Sequence, residues 1–572
     1  MRKQNKKPQK MDIDETILEL DLPSQNKSKK SFLTIVGYFS IILVFIILSS
    51  YKSPTIRINN KLVLAKSSQL NDLLKTQINF LSINTTADTL QDINSQLNSL
   101  LIKFYKNRNY KPAWIQNYKT NHSFTSLLNL LDSSAYFGFP FDYFNIEKIH
   151  QLDFETKYLI NNKDFLKQRM DLELTSTYSA LKFMFYLKHG IVEKDTSFAF
   201  LTNIDSLPGI LNNAVNQTNL KNEILSVQPD LVHHRNLLNS LSHFIDLHYS
   251  VKYTTPAFID DKLLAKSLYY TGIIESLVFD STNLKSNALN KLNPEFHLPN
   301  DSILNILTHE SLVSLLEYRY LQTCLNLNRL RKLNHDGDNY LFINIPEFKL
   351  HLIEANKEKE VFNVIVGTKK TPTPNLTSNI EKVITNPYWT VPRSIVTNEM
   401  LRSIRKDSTY LKKNGFFVIN NSEERVDDSI IDWNEQDPLR NKYWIRQINN
   451  QSNALGQVKF IFPNDYSVYL HDTQSKKLFK RNKRTFSHGC IRLENPEKLA
   501  QYLTEKCNNK NNIRNLISKK KRHVIDLSKK IKIHVQYITC SGAQNSDMIF
   551  FKDIYNKDKQ EIKAIFPDQI EI

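Results

Sequence analysis

The chain has 572 residues, with 76 Lys and Arg against 58 Asp and Glu for a formal net charge of +18 at pH 7. That length exceeds one ordinary domain, and a hydrophobic share of 41% supplies several cores, which excludes a single small module. The positive balance invites a polyanion, but the basic residues are scattered and no nucleic-acid-binding module is legible, which argues against nucleic acid as a partner.

Residues 1–30 form a basic tail carrying Arg2, Lys3, Lys6, Lys7, Lys10, Lys27, Lys29 and Lys30. Phe32 to Ser50 follows without one charged residue, long enough to cross a bilayer as a helix. We therefore expect a transmembrane anchor over 31–51. The cationic flank keeps the N-terminus in the cytoplasm and puts everything after Tyr51 outside it. No small-residue cleavage site follows the run, so the anchor is expected to be retained.

After a linker from Ser53 to about Gln69, residues 70–250 show apolar residues at helical spacing, as in Ile93 to Tyr105 and Leu172 to Leu187. A second helical unit is expected over 260–316. From Tyr340 the period falls to two: Tyr340 to Ile345, Phe348 to Ala355 and Val361 to Gly367 alternate apolar with polar, punctuated by Pro346-Glu347 and Asn356-Lys357. Residues 330–540 thus read as a mostly-β domain. An insertion over about 393–446 interrupts it, with a helical piece near Glu399 to Lys412 and polar loops around Asn420 to Asp428. Alternation returns from His523 to Phe551, and 541–572 form a C-terminal extension. The fold class is multidomain α+β.

Chemistry concentrates in Ser487-His488-Gly489-Cys490-Ile491-Arg492, with Tyr469-Leu470-His471-Asp472-Thr473 upstream. Cys490 is a candidate nucleophile, and a thiol near its free pKa needs a neighbour that takes its proton. His471 and His488 are the near imidazoles. On a strand over 466–471, Val468 and Leu470 face the core while Ser467, Tyr469 and His471 face a cleft, which points Asp472 away from His471. Asn495-Pro496-Glu497 reads as a helix start with Asn495 as N-cap, so Cys490 sits between a strand and a helix. A zinc site from His471, His488 and Cys490 lacks paired-Cys spacing, and neither metal nor cofactor is expected. Cys324, Cys507 and Cys540 are irregularly spaced and read as small hydrophobes. Pairing among them stays open.

These residues resemble the L,D-transpeptidase (YkuD) family. Tyr469 to Thr473, Leu478-Phe479-Lys480-Arg481, Asn386 to Pro392 and Asn453 to Phe460 are similar to its large membrane-anchored YcbB type, and the resemblance extends more weakly over most of the chain outside the cytoplasmic end. It implies a helical scaffold domain over 70–250 and a degenerate peptidoglycan-binding-like domain over 260–316, where Phe296 to Leu304 lacks the glycines of the usual turn. It also implies a catalytic domain over 330–540 whose insertion caps the cleft. Cys490 would be the nucleophile and His471 the base. Gly489 and Cys490 N–H groups and the Tyr469 hydroxyl would hold an oxyanion, while His488 would orient the turn. Arg492 would bind a stem carboxylate, and Trp389 would line the cleft. The implied reaction releases D-alanine from a tetrapeptide stem and joins the thioester to another stem's amine as a 3-3 crosslink. The protein would sit in the inner membrane with its catalytic part in the periplasm. Its partners would be donor and acceptor stem peptides and other wall-synthesis enzymes. L,D-carboxypeptidase or crosslink-cleaving activity at the same site, and a non-catalytic wall scaffold, are the alternatives.

Overall fold

A computed structural model describes residues 60–84, 93–117, 119–140, 143–158, 165–191, 206–217, 219–254, 261–271, 309–333, 337–440, 442–450, 452–507, 512–543 and 547–567. By contacts the chain divides into Met1–Ala65 and Lys66–Ile572, and everything below concerns the second unit. The expected anchor over 31–51 and most of the 260–316 unit lie outside the described residues. No described helix is long and apolar enough to cross a membrane.

The N-terminal part is helical and the C-terminal domain mostly β. Leu70, Leu74 and Ile78 recur at helical spacing and are buried. They join one core with the helices Ile93–Asn107, His122–Asp132, Phe165–His189, Val232–Tyr253 and His309–Arg331. Asp261–Thr271, inside the expected 260–316 unit, contributes Leu268 and Tyr270 to that same core. Glu173 organises one end of it. Its carboxylate accepts from the Tyr105 hydroxyl at 2.9 Å and from Ala113 N–H and, at 3.0 Å, Trp114 N–H, two backbone donors that it keeps from being buried unpaired.

The β domain is built from β1 (Tyr340–Asn344), β2 (Lys349–Glu354), β3 (Lys357–Gly367), β4 (Leu376–Thr385), β5 (Val458–Ile461), β6 (Leu470–His471), β7 (Thr485–Ser487), β8 (Ile491–Leu493) and β9 (His523–Gln536). Their order is β7-β3-β8-β6-β5-β4-β9-β1-β2, and pairing of β2 with β3 closes the sheet on itself. Closure leaves the three-residue β7, paired with β3 alone, as a short edge. Val364, Val366, Val458, Phe460, Leu470, Ile491 and Leu493 share the enclosed core. Helix Pro496–Lys506 adds Leu499, Ala500 and Leu503 to it.

Two expectations fail locally. Residues 466–471 do not run as one strand: only Leu470–His471 is extended, and Ser467 has φ +56°. The Asn464 side chain causes this, accepting from the Tyr466 and Val468 N–H groups at 3.1 and 3.0 Å and so turning the chain after Pro463. Asn495 does precede the helix, but in a left-handed conformation (φ 54°, ψ 49°) and without a side-chain cap bond; the fixed ring of Pro496 is what starts the helix.

The insertion is a folded body. Strands Trp389–Thr390, Tyr443–Gln447, Phe416–Asn420 and Arg425–Val426 make a four-stranded antiparallel sheet, so the polar loops expected near Asn420 are half a hairpin. Helical turns over Arg393–Lys413 pack on it around Val391, Val396, Met400, Ile404, Leu411, Val418 and Ile445. Beyond β9, strands Cys540–Gly542 and Met548–Phe550 and helix Asp558–Ile565 return to the helical part, where Arg329 Nη1 meets Asp558 Oδ1 at 2.9 Å. All four cysteines are free.

Candidate active site

Strand register assembles the site. Lys459 on β5 lies opposite His471 on β6, and His471 lies opposite Arg492 on β8, so the three side chains share one face of the sheet. Leu470 points the other way into the core. β6 and β8 run parallel, which returns the chain beside His471 just after the Ser487–Cys490 turn. Gly489 has φ +111°, a conformation other residues rarely adopt, so glycine is required here for backbone geometry.

His471 is buried, and burial first, then the neighbouring Arg492 guanidinium, pulls its pKa down to about 3. The ring is therefore neutral at rest. Its Nδ1 meets the Asp472 backbone carbonyl at 2.5 Å; a carbonyl only accepts, so Nδ1 carries the proton and Nε2 is left basic. That carbonyl, with the Leu455 carbonyl, favours the protonated ring and so opposes the burial. The Asp472 carboxylate, as expected, does not hold the ring. It accepts from Gln457 N–H at 2.8 Å and Thr473 N–H at 2.7 Å and pairs with Lys476, pinning the loop behind the histidine. A Cβ on Gly456 would strike that carboxylate at 2.3 Å.

The Cys490 thiol is partly buried, which raises its pKa. Hydrogen bonds from Tyr469, then the charges of Lys459 and Arg492, pull the other way and favour the thiolate. The sulfur lies 4.0 Å from the Ser467 carbonyl, and no hydrogen bond joins it directly to His471 among the described residues. Catalytic hydrogen bonds are often long before substrate binds. Tyr469 packs against the His471 ring at 5.5 Å between centroids, its hydroxyl meets both Cys490 and Trp389, and burial first, then Cys490, raises its pKa while Trp389 opposes them. Trp389 thus stands at the site and in the insertion's sheet.

One expected donor is engaged elsewhere. The Gly489 N–H is already donated to Ser487 Oγ at 3.2 Å, so it is not open to an oxyanion in this conformation. The Cys490 N–H and the Tyr469 hydroxyl are the remaining donors. His488 points out of the turn, its Nε2 2.6 Å from Glu399 Oε1 of the insertion. Sequence reasoning missed Lys459, whose Nζ sits 3.7 Å from the centre of the Tyr469 ring. The signal was available: in Val458 to Ile461 the alternation that buries Val458 and Phe460 turns Lys459 to the cleft face.

What this arrangement can do is nucleophilic acyl transfer: a thiol, a neutral imidazole on a shared face, two cations and two donors. Among the described residues no group of three His, Cys, Asp or Glu is placed to hold a metal. Comparison with known proteins agrees in kind. Residues 338–520 match the YkuD family, the L,D-transpeptidase catalytic domain, and residues 99–241 match the Scaffold family, a scaffold domain. A Haemophilus influenzae protein named "Putative L,D-transpeptidase" is 31% identical over 239 residues, 41% of this chain and 48% of that one. The chain thus spans about half the length of the curated relative it matches. A solved structure titled "Structure of the Ldtfm-avibactam carbamoyl enzyme" overlaps 35% of this chain and 49% of that one at 11% identity, but its TM-score of 0.16 carries no argument.

Proposed function

We propose that the protein is a peptidoglycan L,D-transpeptidase that forms 3-3 crosslinks through a thioester on Cys490. The observation that carries this reading is the Cys490 turn lying beside the Lys459–His471–Arg492 row, within the residues that match the L,D-transpeptidase catalytic domain. Substrate binding brings the thiol to His471, which takes its proton as the sulfur attacks the carbonyl before the terminal D-alanine. The Asp472 and Leu455 carbonyls stabilise the imidazolium formed. Developing negative charge on the carbonyl oxygen is met by the Cys490 N–H and the Tyr469 hydroxyl. The C–N bond then breaks, and the imidazolium returns its proton to the departing D-alanine amine. An acceptor stem's amine attacks the thioester, the imidazole takes its proton, and the thiol is regenerated. Arg492, on the opposite side of His471 from Lys459, suits a stem carboxylate.

The Phe32 to Ser50 run and its cationic flank support an inner-membrane anchor with the catalytic part in the periplasm. Hydrolysis of the same thioester by water, an L,D-carboxypeptidase activity, is the second reading, favoured by the partial exposure of Cys490, which leaves water a route to the acyl group. Incubation of the chain from Lys66 onward with tetrapeptide muropeptides separates the two. Dimers with released D-alanine support transpeptidation, tripeptide alone supports hydrolysis, and the absence of both overturns the enzymatic reading.

A further inference from the structure

The insertion touches the site at two places of different character. At its root, Trp389 reaches the Tyr469 hydroxyl, and the preceding Asn386 is fastened by side-chain hydrogen bonds to the Leu516, Ile517 and Lys521 carbonyls at 3.2, 3.1 and 3.1 Å. At its helical arm the contact to the Ser487–Cys490 turn is a hydrogen bond between Glu399 Oε1 and His488 Nε2 at 2.6 Å. A carboxylate only accepts, so the imidazole presents an N–H at Nε2 toward it. Both side chains are about half exposed, at 51% and 48%.

Local geometry singles Glu399 out. Val396–Met400 is a π-helical turn between the α-helical turns Arg393–Ile395 and Leu401–Lys406, an irregularity that recurs at functional sites. Val396, Met400 and Ile404 hold this arm to the insertion's own core, while Glu399 is exposed on the side that meets His488. Nothing in the packing of that core uses the Glu399 side chain. It is spent on a residue two positions from Cys490 in sequence.

We propose that Glu399 is a positioning residue: docked on His488, it holds the arm of the insertion closed beside Cys490 and keeps water from the thioester. The second half of this statement rests on the acyl-enzyme reading above; the first half does not. A half-exposed pair of this kind biases an equilibrium only a few-fold, which lets substrate open the arm readily. Sealing is needed once the thioester exists, because water competes with the acceptor amine there.

The test compares Glu399→Ala, Glu399→Gln, His488→Ala and the Glu399→Ala/His488→Ala double variant in the full chain. Labelling of Cys490 by N-ethylmaleimide is followed by peptide mass, with partly buried Cys507 as internal reference. Glu399→Ala is expected to speed Cys490 labelling about 3- to 5-fold without changing Cys507. Glu399→Gln falls between it and wild type. In the His488→Ala background, removing Glu399 adds nothing. Unchanged labelling in Glu399→Ala, or an equal effect with and without His488, overturns the latch. With muropeptides, the ratio of hydrolysed tripeptide to dimer rises by a similar factor in Glu399→Ala; an unchanged ratio overturns the water-excluding role. Wild type that turns over no muropeptide defeats the catalytic reading, while the labelling still decides the latch.

Discussion

The helical part and the β domain both bury cysteines, and the two settings give one side chain opposite characters. Cys324 and Cys540 are fully buried, and burial pushes each thiol up to about 12 despite hydrogen bonds with Tyr320 and Thr323. Cys490 is also penalised by burial, but Tyr469, Lys459 and Arg492 converge on it, and the sulfur keeps a path to solvent. Access to solvent therefore sets Cys490 apart, since hydrogen bonds and arginines reach Cys324 and Cys540 as well. Replacing Cys490 with Ala gives the largest effect expected here. Acylation by a carbapenem or by tetrapeptide should fall by roughly 10⁴-fold or more, to background, with the melting temperature little changed. Intact-protein mass after incubation checks it. Cys540→Ala should do the reverse, leaving the adduct intact and costing about 1–2 kcal/mol in a urea titration, as expected for a small void. An adduct that persists in Cys490→Ala breaks the comparison outright.

Buried carboxylates sharpen the same contrast. Glu173 accepts from two backbone N–H groups and a hydroxyl in the helical part, and burial pushes its pKa up to about 7 against those donors. Glu173→Ala strands the Ala113 and Trp114 N–H groups, while the Tyr105 hydroxyl keeps Thr177 Oγ1, and should cost about 3 kcal/mol of stability, read from urea midpoints, while acylation per folded molecule stays unchanged. Loss of acylation in the folded fraction would mean that the helical part does more than support.

Much of this was legible in the sequence, and the misses share one cause. Periodicity located the β domain because Tyr340 to Gly367 alternates cleanly, and the Ser487 to Arg492 string singled out the turn that the β6–β8 register sets beside His471. Lateral neighbours were not legible. Lys459 meets His471 only through β5–β6 register, and Glu399 meets His488 across 89 positions, being brought there by a π-helical turn that no periodicity announces. Asn464 likewise bent a strand that alternation alone would run straight.

Histidines give a smaller effect with a definite sign. His233 and His234 in the helical part, held well below 6.5 by burial, and His471 in the site, at about 3, are neutral when folded but protonate near 6.5 when unfolded. The unfolded chain then binds more protons in acid, so stability falls as pH drops below 6.5, by about 2 kcal/mol per fully buried ring between about pH 7 and about pH 5. His351 runs the other way. Against the burial that pulls it down, Glu347 at 3.0 Å and Glu358 at 2.6 Å carry it up to about 9, so its contribution is complete below 6.5 and lost as pH rises through about 9. Urea midpoints across this range should therefore fall on the acid side by several kcal/mol. A flat acid limb would mean that these rings take up protons while folded.

The subtlest test asks whether Tyr469 acts on chemistry or merely fills space beside His471. Its hydroxyl meets the sulfur and Trp389, while its ring packs on His471 and carries Lys459 over one face. Tyr469→Phe keeps the ring, the packing and the cation over it, and removes one oxygen. If the hydroxyl only bridges to the insertion, acylation should hardly change. If it stabilises the thiolate and then the oxyanion, kcat/KM for acylation should drop about 10-fold, near 1.4 kcal/mol, with KM unmoved, because the lost hydrogen bond strengthens only as negative charge develops. The same substitution should leave the urea midpoint within about 0.5 kcal/mol of wild type, since the Phe ring fits the space without a new void. A fall in stability without a fall in kcat would assign Tyr469 to the scaffold of the site and leave the Cys490 N–H as its remaining oxyanion donor.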